Sequence, residues 1–204
     1  MSDQGRWVGT GRDTAGIPSE LRPIVPDWAQ MSPSRLRHVH RVAALVSSWA
    51  DHMSIPQSER NRWLRAAWLH DALRDAAPEE LERLTPGLTG PVAIRHGPAS
   101  AAVAKSLGET DRGVLDAIRY HSVGLAEWDM VGRVLYCADY LEPGRAEEAE
   151  SRAVLARRFP RDSHDVTVEV ARRRIQRLLT AGWPLPEPTY RFWNRLVAPS
   201  SSPR

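Results

Sequence analysis

The sequence predicts an all-α domain of about seven helices. Apolar side chains recur at three- and four-residue spacings from about residue 32 to 181, helix-capping residues precede most of those runs, and no alternating apolar and polar stretch reads as a strand. With 204 residues, 42% hydrophobic and 26% charged, the composition is that of a globular chain that folds in water, which excludes disordered and fibrous classes. The length suits one domain with tails.

The first helix is predicted to start at Ser32, Pro33 and Ser34 and to carry Leu36, Val39, Val42, Val46 and Ala50. A second runs from an N-cap at Ser58 through Trp63, Leu64, Ala67 and Trp68 to about Leu73. A third opens near Pro98, well placed at the first helical position, and ends at Gly108. Asp111 caps a fourth, which carries Val114, Ala117, Ile118 and His121 and stops at Gly124. A fifth spans roughly Asp129 to Leu141 and is ended by Pro143 and Gly144. Two more occupy about 146 to 158 and 163 to 181, the last with Val168, Ala171, Ile175 and Leu178 on one face. The domain is thus expected over 31–183. Residues 1–30, with Gly5, Gly9, Gly11, Gly16, Pro18, Pro23 and Pro26, read as a flexible leader, and 184–204 as a Pro-rich tail from which Tyr190, Phe192 and Trp193 could dock back on the core.

The formal charge of +3 favours anionic partners only weakly. Lys105 is the single lysine, and planar guanidinium groups suit phosphate well, although a compositional bias of the genome explains the arginine excess at least as well. Cys137 stands alone in an apolar run and reads as a small core residue, which points to a reducing, cytoplasmic setting. No stretch is long and apolar enough for a membrane span, and the polar N-terminus carries no secretion signal.

Several ionisable residues fall where burial is expected. His38 shares a stripe with Val42, Leu45 and Trp49; His121 follows Ala117 and Ile118; Asp139 follows Leu135. His70 and Asp71 end the apolar run Trp63-Leu-Arg-Ala-Ala-Trp-Leu. A buried, unpaired carboxylate is costly unless a cation or donors compensate it. A divalent metal does so, and imidazole with carboxylate suits iron, manganese or zinc, with an Asp able to bridge two ions. His40, His52 and His164 fall outside these faces and read as surface residues.

Five segments in order resemble the YqeK-type HD-domain hydrolases, bacterial symmetrical diadenosine tetraphosphatases. They are Arg35-Leu-Arg-His38-Val-His-Arg41-Val, Trp68-Leu-His70-Asp71, Arg95-His96-Gly97-Pro98, Ala117-Ile-Arg119-Tyr-His121-Ser-Val-Gly124 and Leu135-Tyr-Cys-Ala-Asp139-Tyr-Leu-Glu142-Pro143-Gly-Arg145. The match covers about Ser32 to Gly182, and its last two segments are the most specific. The resemblance implies one metal held by His38, His70, Asp71 and Asp139 and a second by Asp71, His96 and His121, with Asp71 as the bridge. It also implies iron as the favoured ion, manganese or zinc as alternatives, and symmetric cleavage of diadenosine tetraphosphate to two ADP. Arg74 stands where the family usually has lysine, and Ser122 where it commonly has threonine.

In such a site two cations activate a water and clamp phosphate oxygens, with Asp71 and Arg74 serving catalysis and Arg74, Arg119 and Arg145 binding the remaining phosphate charge. A nucleotide is the expected partner; a homodimer is compatible, and neither membrane nor dedicated nucleic-acid binding is expected. Two rival readings remain: an HD phosphohydrolase acting on a mononucleotide or guanosine alarmone, and a basic binding module with a vestigial site.

Overall fold

A computed structural model describes residues 25–199, and these form nine helices and no strand. They are α1 (Pro33–His52), α2 (Gln57–Leu69), α3 (Pro78–Leu84), α4 (His96–Ser106), α5 (Arg112–Tyr120), α6 (Met130–Leu141), α7 (Ala149–Arg158), α8 (Ser163–Thr180) and α9 (Glu187–Val197). The all-α class therefore holds, with two helices more than predicted. No described helix is long and apolar enough to cross a membrane.

Local chemistry sets the strongest boundaries. Ser32 accepts from the Arg35 amide at the start of α1, Asp111 from Val114 at the start of α5, and Asp129 from Val131 at the start of α6. Each cap satisfies an amide that lacks a partner within its helix, a contribution of about 1 kcal/mol. One guanidinium ties two of these caps together: Arg62 on α2 donates to both oxygens of Asp111, at 2.6 and 3.0 Å, and to Asp129 at 2.7 Å.

Helices α1, α2, α5 and α6 pack on one another around Val39, Val42, Trp63, Ala117, Ile118 and Leu135, all at most 1% exposed. Helix α4 lies against α5, with α3 beyond it, while α7 and α8 flank the other side of α6. The approach of α4 to α5 is close because Gly97 has no Cβ. A methyl there would stand 2.8 Å from the Ile118 carbonyl and 3.2 Å from His121 Cε1.

Several expectations are corrected. Helix α2 ends at Leu69 rather than Leu73, so His70 is its C-cap and Asp71 to Ala76 follow as turns. Helix α3 has only seven residues, too few for a spacing pattern to register. Helix α9 lies inside the stretch read as a Pro-rich tail. Pro188 falls in its first turn, where a missing amide costs nothing, and Phe192 and Leu196 are buried. Phe192 packs edge-on against Trp128 and Tyr136, with centroids 5.2 and 5.3 Å away. The buried stripe of α8 is Val166, Thr167, Val170 and Ala171; of the predicted face, Ala171 lies on it and Val168 packs partly buried against the core, while Ile175 and Leu178 are only half-buried, so the buried face is turned toward Thr167 and Val170.

At the start of the chain, residues 25–30 belonged to the expected leader, yet the Gln30 amide donates to the Ala72 carbonyl at 2.7 Å and the Asp75 amide to the Gln30 carbonyl at 3.2 Å. The rest of that expectation, residues 1–24, and the end of the tail, 200–204, lie outside the described residues.

Candidate metal centre

Three helix ends and two helix interiors converge on one buried point. His38 comes from the second turn of α1, His70 from the C-cap of α2 with Asp71 just after, His96 from the first residue of α4, His121 from the C-cap of α5 and Asp139 from α6. All six are at most 8% exposed. The early end of α2 aims adjacent side chains inward, because the turn after Leu69 departs from helical spacing.

Asp71 is the hub. Its Oδ1 lies 3.1 Å from His96 Nε2 and 3.5 Å from His121 Nε2, and its Oδ2 lies 3.6 Å from His70 Nε2 and 3.7 Å from His38 Nε2. Asp139 Oδ1 lies 3.1 Å from His38 Nε2. Ligand atoms of His38, His70 and Asp71 lie within 4.8 Å of one another, as do those of Asp71, His96 and His121.

The imidazoles are turned by their outer nitrogens. Nδ1 of His70, His96 and His121 faces the carbonyls of Ala67, Ala93 and Ile118 at 2.8, 2.9 and 2.8 Å, so each ring donates outward and presents Nε2 to the centre. His38 does the same through Glu142, whose Oε1 is 3.1 Å from Nδ1. Glu142 is itself held by Arg41 and by the Gly144 amide at 2.7 Å.

This arrangement fits divalent metal. Nε2 of His38 and of His70 are buried without a hydrogen-bond partner; the close approach of His38 to Asp139 lacks hydrogen-bond alignment. His96 Nε2 and His121 Nε2 face each other at 3.1 Å. With both Nδ1 atoms donating outward, those inner nitrogens are lone pairs in the neutral rings, and two facing acceptors need a cation or proton between them.

The electrostatics agree. Burial holds the His70 pKa down to about 4, which keeps its ring neutral and able to ligate. Burial alone would lower His38 as well, but the carboxylates of Asp139 and Glu142 outweigh it and raise its pKa to about 9. A cation is therefore already favoured between those carboxylates. Burial would raise the Asp71 carboxyl, but positive charge on the surrounding imidazoles of His70, His121 and His96 holds it well below the usual range, a place that a metal cation takes over when those rings are neutral.

The predicted arginines are placed differently. Arg74 Nη1 donates at 3.1 Å to the Ala93 carbonyl, which also receives His96 Nδ1–H, so it sits beside the centre. Arg145 donates to the backbone and side-chain oxygens of Asp139, each at 3.1 Å. Arg119 is exposed on α5 and makes no hydrogen bond or ion pair among the described residues.

Sequence reading assigned no role to Arg35, which donates to Asp71 Oδ2 at 2.8 Å, to Glu142, or to Arg174, which donates to Asp139 Oδ2 at 2.8 Å. Of the three remaining histidines, His52 and His164 are exposed as expected. His40 is half-buried, with its ring edge-on to Trp68 at 4.9 Å, which corrects its reading as a solvent residue. Cys137 is fully buried and its thiol pushed up to about 12 by burial, so it is inert core.

Known proteins share these features. The HD-domain family model matches residues 35–144, more than half of the chain. An 89-residue stretch is 34% identical to a Bacillus subtilis (strain 168) protein named symmetrical bis(5'-nucleosyl)-tetraphosphatase, covering 40% of this chain and 48% of that one. A 53-residue stretch is 42% identical to a Staphylococcus aureus protein of the same name, covering 26% and 27%. The matches thus span about half or less of these curated relatives. A crystal structure described as a predicted HD superfamily hydrolase involved in NAD metabolism, from Clostridium acetobutylicum, shares the fold, with a TM-score of 0.72 over 82% of this chain and 91% of that one at 21% identity.

Proposed function

The chain belongs to the HD-domain family, and on that premise we propose that it is a metal-dependent phosphohydrolase cleaving diadenosine tetraphosphate symmetrically into two ADP. The observation that carries hydrolysis is the set of four inward-turned imidazole nitrogens around Asp71, those of His38 and His70 buried without a partner and those of His96 and His121 facing each other. The choice of substrate is supported by the names of the Bacillus subtilis and Staphylococcus aureus relatives.

His38, His70, Asp71 and Asp139 would hold one ion and Asp71, His96 and His121 a second, with iron favoured and manganese or zinc as alternatives. Two such cations supply a polarised phosphoryl oxygen and an activated water for in-line displacement. The chain's own residues do the rest. Asp71 turns one oxygen toward His96 and His121 and the other toward His38 and His70, so a single carboxylate serves both halves of the centre. Glu142 orients the His38 ring and the carbonyls of Ala67, Ala93 and Ile118 orient the other three, so the four imidazoles are set toward the centre in advance.

Arg74 beside His96 and Arg145 beside Asp139 would bind phosphate charge beyond that at the cleaved bond. Arg119, exposed and without contact to the centre, has the weakest structural support of the three as a substrate residue.

Purified protein supplied with ferrous or manganous ion is expected to convert diadenosine tetraphosphate to ADP alone, read by chromatography of the products. ATP plus AMP would mean asymmetric cleavage and contradict the substrate reading. Inertness toward this compound with turnover of a nucleoside monophosphate would move the enzyme to another substrate class of the same family.

A further inference from the structure

The metal-centre segments recognised in the sequence end at Arg145, and the HD-domain model ends at residue 144, yet a side chain beyond both reaches the centre. Arg174 on α8 continues the buried stripe of Thr167, Val170 and Ala171 by one turn. Its Nη2 donates to Asp139 Oδ2 at 2.8 Å and to the Tyr136 carbonyl at 3.1 Å. The guanidinium lies 4.4 Å over the Tyr136 ring, and its Nε is buried without a partner.

We infer that Arg174 is the positioning residue for Asp139, fixing that carboxylate so that only Oδ1 faces His38 and the metal it shares. The geometry divides the two oxygens. Oδ2 is taken by Arg174, while Oδ1 lies 3.1 Å from His38 Nε2 and 3.1 Å from Arg145 Nη2. Side-chain exposure is 37% for Arg145 and 18% for Arg174, so Arg145 is free to leave for a phosphate while Arg174 is packed in place. The planar fork is stacked on the Tyr136 ring and bonded to both the Asp139 carboxylate and the carbonyl one turn earlier on α6, contacts that together restrain it. Asp139 is thereby held in one orientation whether or not substrate is present, and α8 becomes part of the metal centre.

The inference rests on the metal reading above, and one titration separates their failures. Manganous ion is titrated calorimetrically into metal-free wild type, Arg174→Ala, Arg174→Lys, Asp139→Ala and the double variant Arg174→Ala/Asp139→Ala, with thermal unfolding run alongside. Arg174→Ala is expected to weaken one of two metal sites by about 10- to 100-fold, the usual cost of losing a partner that orients a ligand. The other site should be unchanged, and Arg174→Lys should recover part of the loss.

In the Asp139→Ala background, removing Arg174 should cost no further affinity, because its effect passes through that carboxylate. Folded Arg174→Ala protein with wild-type affinity at both sites would overturn the inference, as would an equal loss with and without Asp139. If the alanine variant does not fold, Arg174→Lys decides alone, and wild-type affinity in it overturns the inference. Failure of wild type to take up metal would instead overturn the metal reading.

Discussion

Arg74 stands beside the centre without belonging to its candidate ligand set. It shares the Ala93 carbonyl with His96 and so reaches the edge of the centre without supplying a ligand atom. Arg74→Ala is therefore expected to lower turnover by roughly ten- to a thousand-fold, the loss of one charge-stabilising donor, with metal content unchanged by elemental analysis. Normal kinetics in that variant would pass phosphate binding to Arg145. His38, His121 and Asp139 are legible in the sequence because histidine or aspartate on an apolar helix face violates the pattern around it, and His70 and Asp71 because they end an apolar run; His96, which precedes the expected helix start at Pro98, is legible only through the family resemblance. Glu142 and Arg35 carry no such mark, since one ends a helix before a proline and the other sits in a polar first turn. Arg174 is hidden for a different reason: Val168, Ala171, Ile175 and Leu178 mark an apolar face turned from Thr167 and Val170, and an arginine at its margin reads as solvent-facing.

At the scale of elements, the centre depends on how its helices are set against one another, and Arg62 ties the starts of α5 and α6, away from the centre, to α2. Its guanidinium, with Asp111 foremost among its partners, holds the Asp111 carboxyl below its ordinary value of 3.8. A carboxyl depressed in the folded state contributes stability that is present above its ordinary value and lost as pH falls through the lowered one. Arg62→Ala should thus cost about 1–3 kcal/mol at neutral pH, the range for hydrogen bonds to charged groups, and should move the acid-unfolding midpoint to higher pH. Circular dichroism against pH checks both; an unchanged acid limb would show that the cluster is a solvated salt bridge without consequence. The starts of α1, α5 and α6 were readable because their caps are side chains named in the sequence. The end of α2 was not, because its apolar spacing continues through Leu73 although the backbone leaves the helix at His70.

For the whole molecule, the last helix is part of the body that supports the centre. Gly124, three residues after His121, has φ of 87°, and a Cβ there would stand 2.5 Å from Phe192 Cδ1, so α9 seals the loop that carries a ligand. Phe192→Ala should destabilise the protein by about 3–5 kcal/mol, the usual cost of emptying a fully buried aromatic site, visible as a lowered Tm. A change under about 1 kcal/mol would mean that α9 is only loosely docked. Proline content hid this helix, because a proline in the first turn starts a helix while its count alone suggests a tail.

The central claim is a two-metal centre organised by Asp71. It is tested most directly by elemental analysis of anaerobically purified protein beside its Asp71→Ala variant, with His40→Ala as the folded control whose ring packs on Trp68 and not on the centre. The account predicts close to two metal ions per chain in wild type and in His40→Ala, and loss of most metal together with activity in Asp71→Ala. Full metal retention by folded Asp71→Ala would contradict it.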